Sequence, residues 1–166
     1  NHALDDIGNF SRRKRAADHF ADARGIALRA AERNLIPLFT MLIHAENADA
    51  IEWLTRRLEA AGRTAPFWHA HSRPMLVERE ATHRAIALSQ LVDVPILIVH
   101  VSGREAVEQI RWARAHGLTI YAETCPQYLF LTAEDLGIDG SYDGARCVCS
   151  PPPRDQRNQQ IIWDGL

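Results

Sequence analysis

Pro95-Ile96-Leu97-Ile98-Val99-His100-Val101-Ser102-Gly103-Arg104-Glu105 decides the fold. Its first part is a run of branched apolar residues with no polar alternation. Such a run marks a strand buried on both faces, the habit of parallel sheets. A histidine stands at its end. Ser102 and Glu105 then form a capping box, with serine at the N-cap and glutamate three residues on, which starts a helix over 103–116. Ala106, Val107, Ile110 and Ala113 give that helix one apolar face, and Gly117 stops it. Strand, histidine and helix thus follow one another within about twenty residues.

The same unit recurs upstream. Leu38-Phe39-Thr40-Met41-Leu42-Ile43 follows Pro37 and stops at His44-Ala45-Glu46-Asn47. Residues 48–61 are helical, with Ile51, Leu54, Leu58 and Ala61 on one face and Gly62 as the stop. Residues 62–75 hold glycine and prolines among polar residues and read as a loop; 76–92 form another amphipathic helix. Downstream, Leu118-Thr119-Ile120-Tyr121-Ala122-Glu123 is a third strand, and 145–149 is a short candidate fourth. Ser150-Pro151-Pro152-Pro153-Arg154 follows, then a helix over 155–165. Ahead of everything, Ala16, Phe20, Ala23, Ala27 and Ala30 make a helical face over 11–34.

Strands alternating with helices imply an α/β fold with a parallel sheet. An open doubly wound sheet and a (β/α) barrel both satisfy that order. No glycine-rich phosphate loop follows any strand, which weighs against the nucleotide-binding form of the open sheet. A complete barrel takes about 250 residues, so this chain holds about four parallel βα units.

The bulk numbers are those of a globular domain: 166 residues, 46% hydrophobic, 24% charged, formal net charge −2. Neither nucleic acid nor a membrane surface is expected as partner, and no apolar run reaches the roughly 18 residues of a membrane span. The N-terminus has no signal-peptide stretch and does not begin with Met, as a processed or truncated start would read. Cys125, Cys147 and Cys149 are few and lack zinc-finger spacing, which suits reduced thiols in the cytoplasm. Cys147-Val148-Cys149 is read as two strand thiols rather than a metal pair.

In parallel α/β folds the functional groups gather at the carboxyl ends of the strands. Two strands here end in histidine, His44 and His100. Neighbouring parallel strands lie about 4.8 Å apart, so two such imidazoles can share one metal ion at about 2.1 Å each. The competing account is that each histidine caps its strand and bonds locally. Glu46 is either a partner orienting His44 or a solvated carboxylate near a helix N-terminus. His69-Ala70-His71 falls in the proline-containing loop and suits the lining of a substrate entrance better than a metal. His19, His83 and His116 lie on helices among charged neighbours and read as solvated. The triple proline after Ser150 can hold that residue's backbone out toward a ligand, or merely form a turn.

Several strings, in order, resemble the dihydropyrimidinase and D-hydantoinase family of the amidohydrolase superfamily. They are His44-Ala45-Glu46-Asn47, Ser72-Arg73-Pro74, Ile98-Val99-His100-Val101-Ser102, Tyr121-Ala122-Glu123-Thr124-Cys125-Pro126-Gln127-Tyr128-Leu129 and Val148-Cys149-Ser150-Pro151-Pro152. With the helices between them they span roughly residues 40–166.

The resemblance implies a partial (β/α)8 TIM-type barrel. Residues 38–166 would be a C-terminal-half fragment of an amidohydrolase barrel, and 1–37 a poorly matching helical segment. It implies a two-metal centre, usually zinc, in which His44 and His100 bind one metal, and a substrate contact through the main chain of Ser150. The implied reaction is hydrolytic opening of a dihydropyrimidine or hydantoin ring to an N-carbamoyl amino acid, in a cytoplasmic and often tetrameric protein.

Other parts of the family pattern are not matched. The H-x-H of the first strand and the assisting tyrosine belong upstream, and the proton-shuttling aspartate belongs beyond Leu166. The lone lysine, Lys14, sits in Arg12-Arg13-Lys14-Arg15 and does not match the bridging lysine's surroundings. No catalytic residue is therefore assigned, and the chain alone is expected to be inactive. The alternatives are a non-catalytic relative such as the collapsin-response-mediator proteins, or a neighbouring cyclic amidase such as allantoinase or dihydroorotase.

Overall fold

The computed structural model describes residues 41–166. The helix read over 11–34 and the start of the strand at Leu38 lie outside the described residues. Three short strands, β1 (Met41–Ile43), β2 (Ile96–Ile98) and β3 (Ile120–Ala122), form one parallel sheet in the order β1-β2-β3. The described residues also hold six α-helices. Between β1 and β2 come α1 (Ala48–Ala60), α2 (Phe67–Ser72) and α3 (Met75–Val92); α4 (Arg104–Ala115) joins β2 to β3. After β3 follow α5 (Gln127–Phe130), two 3₁₀ turns at Ala133–Leu136 and Asp143–Cys147, and α6 (Gln156–Trp163).

The register aligns Met41 with Ile96 and Ile120, and Ile43 with Ile98 and Ala122. These side chains share one face. They pack against Ala81, Ala85 and Ile86 of α3 and Ala106, Ile110 and Ala113 of α4. Alanines let both helix backbones come close, and each buried isoleucine contributes about 1.5–3 kcal/mol. The other face carries the row Leu42, Leu97 and Tyr121, with Leu42 64% and Tyr121 52% exposed. One face of the sheet is covered and the other is bare among the described residues.

Three sequence expectations are corrected. The stretch 62–75 is not all loop, because Phe67–Ser72 forms a helix behind Pro66, whose fixed φ suits a helix start. The capping box at α4 does not form. Gly103 is the N-cap, and Ser102 is occupied elsewhere. Instead the Arg104 backbone N–H donates to Asn158 Oδ1 of α6 at 2.8 Å, and Glu105 pairs with Arg79 of α3 at 3.3 Å. The candidate fourth strand is also not formed: Asp143–Cys147 is a 3₁₀ turn. Gly144 there presses so closely on the preceding turn that an added Cβ would lie 2.1 Å from the carbonyl carbon of Leu136. That approach holds the segment in turns and leaves no extended length to pair. Among the described residues three parallel strands are present, where about four βα units were expected. Among the described residues no helix is long and apolar enough to cross a membrane.

Candidate metal centre

The sheet brings His44 and His100 together. His44 Nδ1 and His100 Nε2 are 2.6 Å apart, and the ring centroids are 4.6 Å apart. The two residues are not at matching positions, as their strings suggested. Ile43 pairs with Ile98, so the register partner of His44 would be Val99. His100 comes one residue later. The offset is absorbed by the backbone of His100, which adopts φ +47, the left-handed region. Its neighbours face opposite ways across the sheet: Val99 N–H donates to Ile43 O at 3.1 Å, and Val101 N–H donates to Glu123 O at 2.9 Å. His100 is therefore thrown out of the ladder toward His44. A non-glycine residue held there costs about 1–3 kcal/mol and is kept only where surroundings dictate it.

The donor set fits a divalent metal ion. Two nitrogens bound to one tetrahedral ion at about 2.1 Å would lie about 3.4 Å apart. The pair needs to part by less than about 1 Å to admit it. Burial holds the His100 imidazole below its usual pKa, and a charge on His44 would push it the same way. A neutral imidazole keeps the lone pair that a borderline metal takes. Among the described residues no group of three or more His, Cys, Asp or Glu side chains is gathered around one point. His44 and His100 thus stand as a pair, with no third such side chain beside them among the described residues.

Glu46 stands two residues past His44. Burial pushes its carboxyl above the usual range, against the pull of the Arg73 guanidinium. Glu46 Oε1 and Arg73 Nε are both buried without a partner. His44, Glu46 and Arg73 line a groove against Ile51 and Thr55 of α1.

Ser150 is exposed and makes no hydrogen bond to His44 or His100; its side-chain neighbour is His69, with Oγ and Nε2 3.4 Å apart. His69 was read as loop lining. It stands instead on α2, with Nε2 2.8 Å from the carbonyl oxygen of Cys149 and Nδ1 3.3 Å from Arg73 Nη1. Burial lowers its pKa. His71 lies two residues on, on the other side of the helix, with Nδ1 3.1 Å from Phe67 O. The H-x-H pair cannot converge on one ion. A helix over 67–72 would have separated the two roles, but the prolines around it concealed that helix. Tyr128 donates to Pro151 O at 2.8 Å. With Pro151, Pro152 and Pro153 buried, the segment after Ser150 is fixed.

A network that sequence reading missed lies behind both candidate residues. Glu78 of α3 receives the backbone N–H and the hydroxyl of Ser102, and pairs with Arg154 at 3.0 Å. No local pattern signals it, since the partners stand 24, 52 and 76 residues apart.

No family model matches the chain. It is 46% identical over 126 residues to a D-hydantoinase of Rhizobium radiobacter, covering 76% of this chain and 27% of that protein. A D-hydantoinase of Streptomyces coelicolor is 44% identical over 142 residues, 86% of this chain and 30% of its own length. Among solved structures, the dihydropyrimidinase of Brevibacillus agri superposes with a TM-score of 0.72 at 45% identity, over 75% of this chain and 27% of that one. The chain thus spans about a quarter of the length of the relatives it matches. On identities of 43–46% to proteins so named, the chain belongs to the dihydropyrimidinase and D-hydantoinase family.

Proposed function

We propose that this chain is part of a metal-dependent hydrolase that opens dihydropyrimidine or hydantoin rings to N-carbamoyl amino acids. His44 and His100 would hold one zinc ion of a two-metal centre, and the main chain at Ser150 would contact the cyclic amide. The observation that carries this reading is the convergence of two ring nitrogens to 2.6 Å at adjacent strand ends. Zinc, when bound, supplies a Lewis acid and lowers the pKa of a bound water. The chain's own residues hold and orient. His100 presents Nε2 from a backbone fixed on both sides. His69 engages Cys149 O, which keeps the peptide ahead of Ser150 in one orientation for a ring amide.

The names of the matched relatives favour a hydantoinase over the neighbouring amidases and over a non-catalytic relative. The bare row Leu42, Leu97 and Tyr121 supports reading residues 38–166 as part of an amidohydrolase barrel, whose interior that face would line. Residues 1–37 match the family pattern poorly and are not assigned to that barrel. A cytoplasmic homotetramer is the setting this reading assigns.

Zinc titration calorimetry tests the centre. The purified chain is expected to bind about one zinc ion weakly, and His44→Ala or His100→Ala to abolish the signal. Binding that survives both substitutions would remove the pair from the centre. The chain alone is expected to give no N-carbamoyl product from dihydrouracil or hydantoin. Turnover by it would overturn the account in which two histidines are all it supplies.

A further inference from the structure

We infer that Glu78 and Arg154 are positioning residues that lock the His100 strand end and the Ser150 proline segment into one frame. The inference rests on the function proposed above, since it concerns residues given roles there.

Glu78, Ser102 and Arg154 are 3%, 1% and 8% exposed. Each polar side-chain atom of the three is engaged. Ser102 N–H donates to Glu78 Oε1 at 2.7 Å, and Ser102 Oγ–H donates to Glu78 Oε2 at 2.8 Å. Arg154 Nη2 donates to Glu78 Oε2 at 3.0 Å and Arg154 Nε to Ser102 Oγ at 3.0 Å. Its Nη1 donates to the carbonyl oxygen of Arg73, 2.5 Å away at the end of α2.

Four segments meet here: α3 through Glu78, the turn after His100 through Ser102, the end of α2 through Arg73, and the proline segment through Arg154. Ser102 stands two residues beyond His100, and Arg154 stands four beyond Ser150 with only buried prolines between. A shift of the guanidinium would therefore move both. From the other side, α2 carries His69 to the peptide before Ser150. The backbone at Gly103 comes so close that an added Cβ would lie 3.1 Å from Glu78 Oε2.

Stability alone is a poor reason for this arrangement. A buried ion pair repays little of its desolvation, and well-packed apolar replacements of both partners are often neutral or better. Fixing geometry is the use that remains, and partners that orient metal ligands affect affinity by about 10–100-fold when removed.

The test compares wild type with Glu78→Met/Arg154→Met in the 166-residue chain. It reads thermal melting, zinc affinity by calorimetry, and the ring-to-ring nuclear Overhauser contact between His44 and His100 without metal. The double substitution is expected to keep the melt while zinc affinity falls at least about 10-fold and the ring contact weakens. Wild-type affinity and ring contact in that variant would overturn the inference. Gly103→Ala, which presses on Glu78 without changing charge, decides the matter if the double variant does not fold. It is expected to weaken the ring contact, and an unchanged contact would overturn the inference. If wild type binds no zinc, the metal reading fails by itself, and the ring contact still reads the positioning.

Discussion

His100 sets the limits of what a residue can do here. Its left-handed φ of +47 is tolerable for histidine and asparagine but not for a β-branched residue. His100→Asn is expected to leave the unfolding free energy from urea titration within about 0.5 kcal/mol of wild type while removing zinc binding. His100→Val is expected to cost about 1–3 kcal/mol more. Equal stability of the two variants would mean that the backbone is not held in that region. His69 gives a second test at this scale. Burial lowers its pKa from 6.5, so the folded chain binds this proton less readily than the unfolded chain. The sign follows: its contribution is complete above the unfolded value and is lost as the pH falls below 6.5. The stability of His69→Gln is expected to fall less steeply than wild type in that range, and parallel acid limbs in denaturant titrations would refute the burial account. The two strand-end histidines were legible because a polar residue closing an apolar run is a local signal. The one-residue offset and the left-handed turn that corrects it were not, since register is a property of two strands together.

At the scale of elements, sequence pattern succeeded where the apolar period was long and failed where a distant contact decided the matter. Helices α1, α3, α4 and α6 fall within a few residues of the readings over 48–61, 76–92, 103–116 and 155–165. The start of α4 was misassigned because Ser102 bonds Glu78, 24 residues away, and Asn158 on α6 takes the first free N–H. Cys147 and Val148 have strand propensity, yet the chain there obeys Gly144, whose contact with Leu136 no propensity encodes. Gly144→Ala tests that contact. Leu136 is fully buried and the atoms in the way are backbone, so neither turn can yield cheaply. The expected cost is about 1–3 kcal/mol by urea unfolding. A loss below about 0.5 kcal/mol would show that the two turns are not packed as described.

Among the described residues the sheet has one covered and one bare face, and this asymmetry bears on behaviour in solution. Ile96 and Ile98 are 0% and 1% exposed beneath α3 and α4. Across the sheet from them, Leu42 and Tyr121 stand open on either side of Leu97. Among the described residues β1 and β3 each have one neighbour, so both outer edges present unpaired backbone groups. A flat apolar row beside open edges favours association with another copy. A formal net charge of −2 supplies little repulsion to oppose it. The purified chain is therefore expected to self-associate as its concentration rises, observable as a growing sedimentation coefficient. Leu42→Lys/Tyr121→Lys places charge on the row without touching the packed face or the histidines. That variant should stay monomeric over the same concentrations and melt close to wild type, because both side chains are already more than half exposed. A monomeric wild type would mean that the row is covered within the chain itself. A variant that associates as strongly as wild type would move the cause of association away from this face.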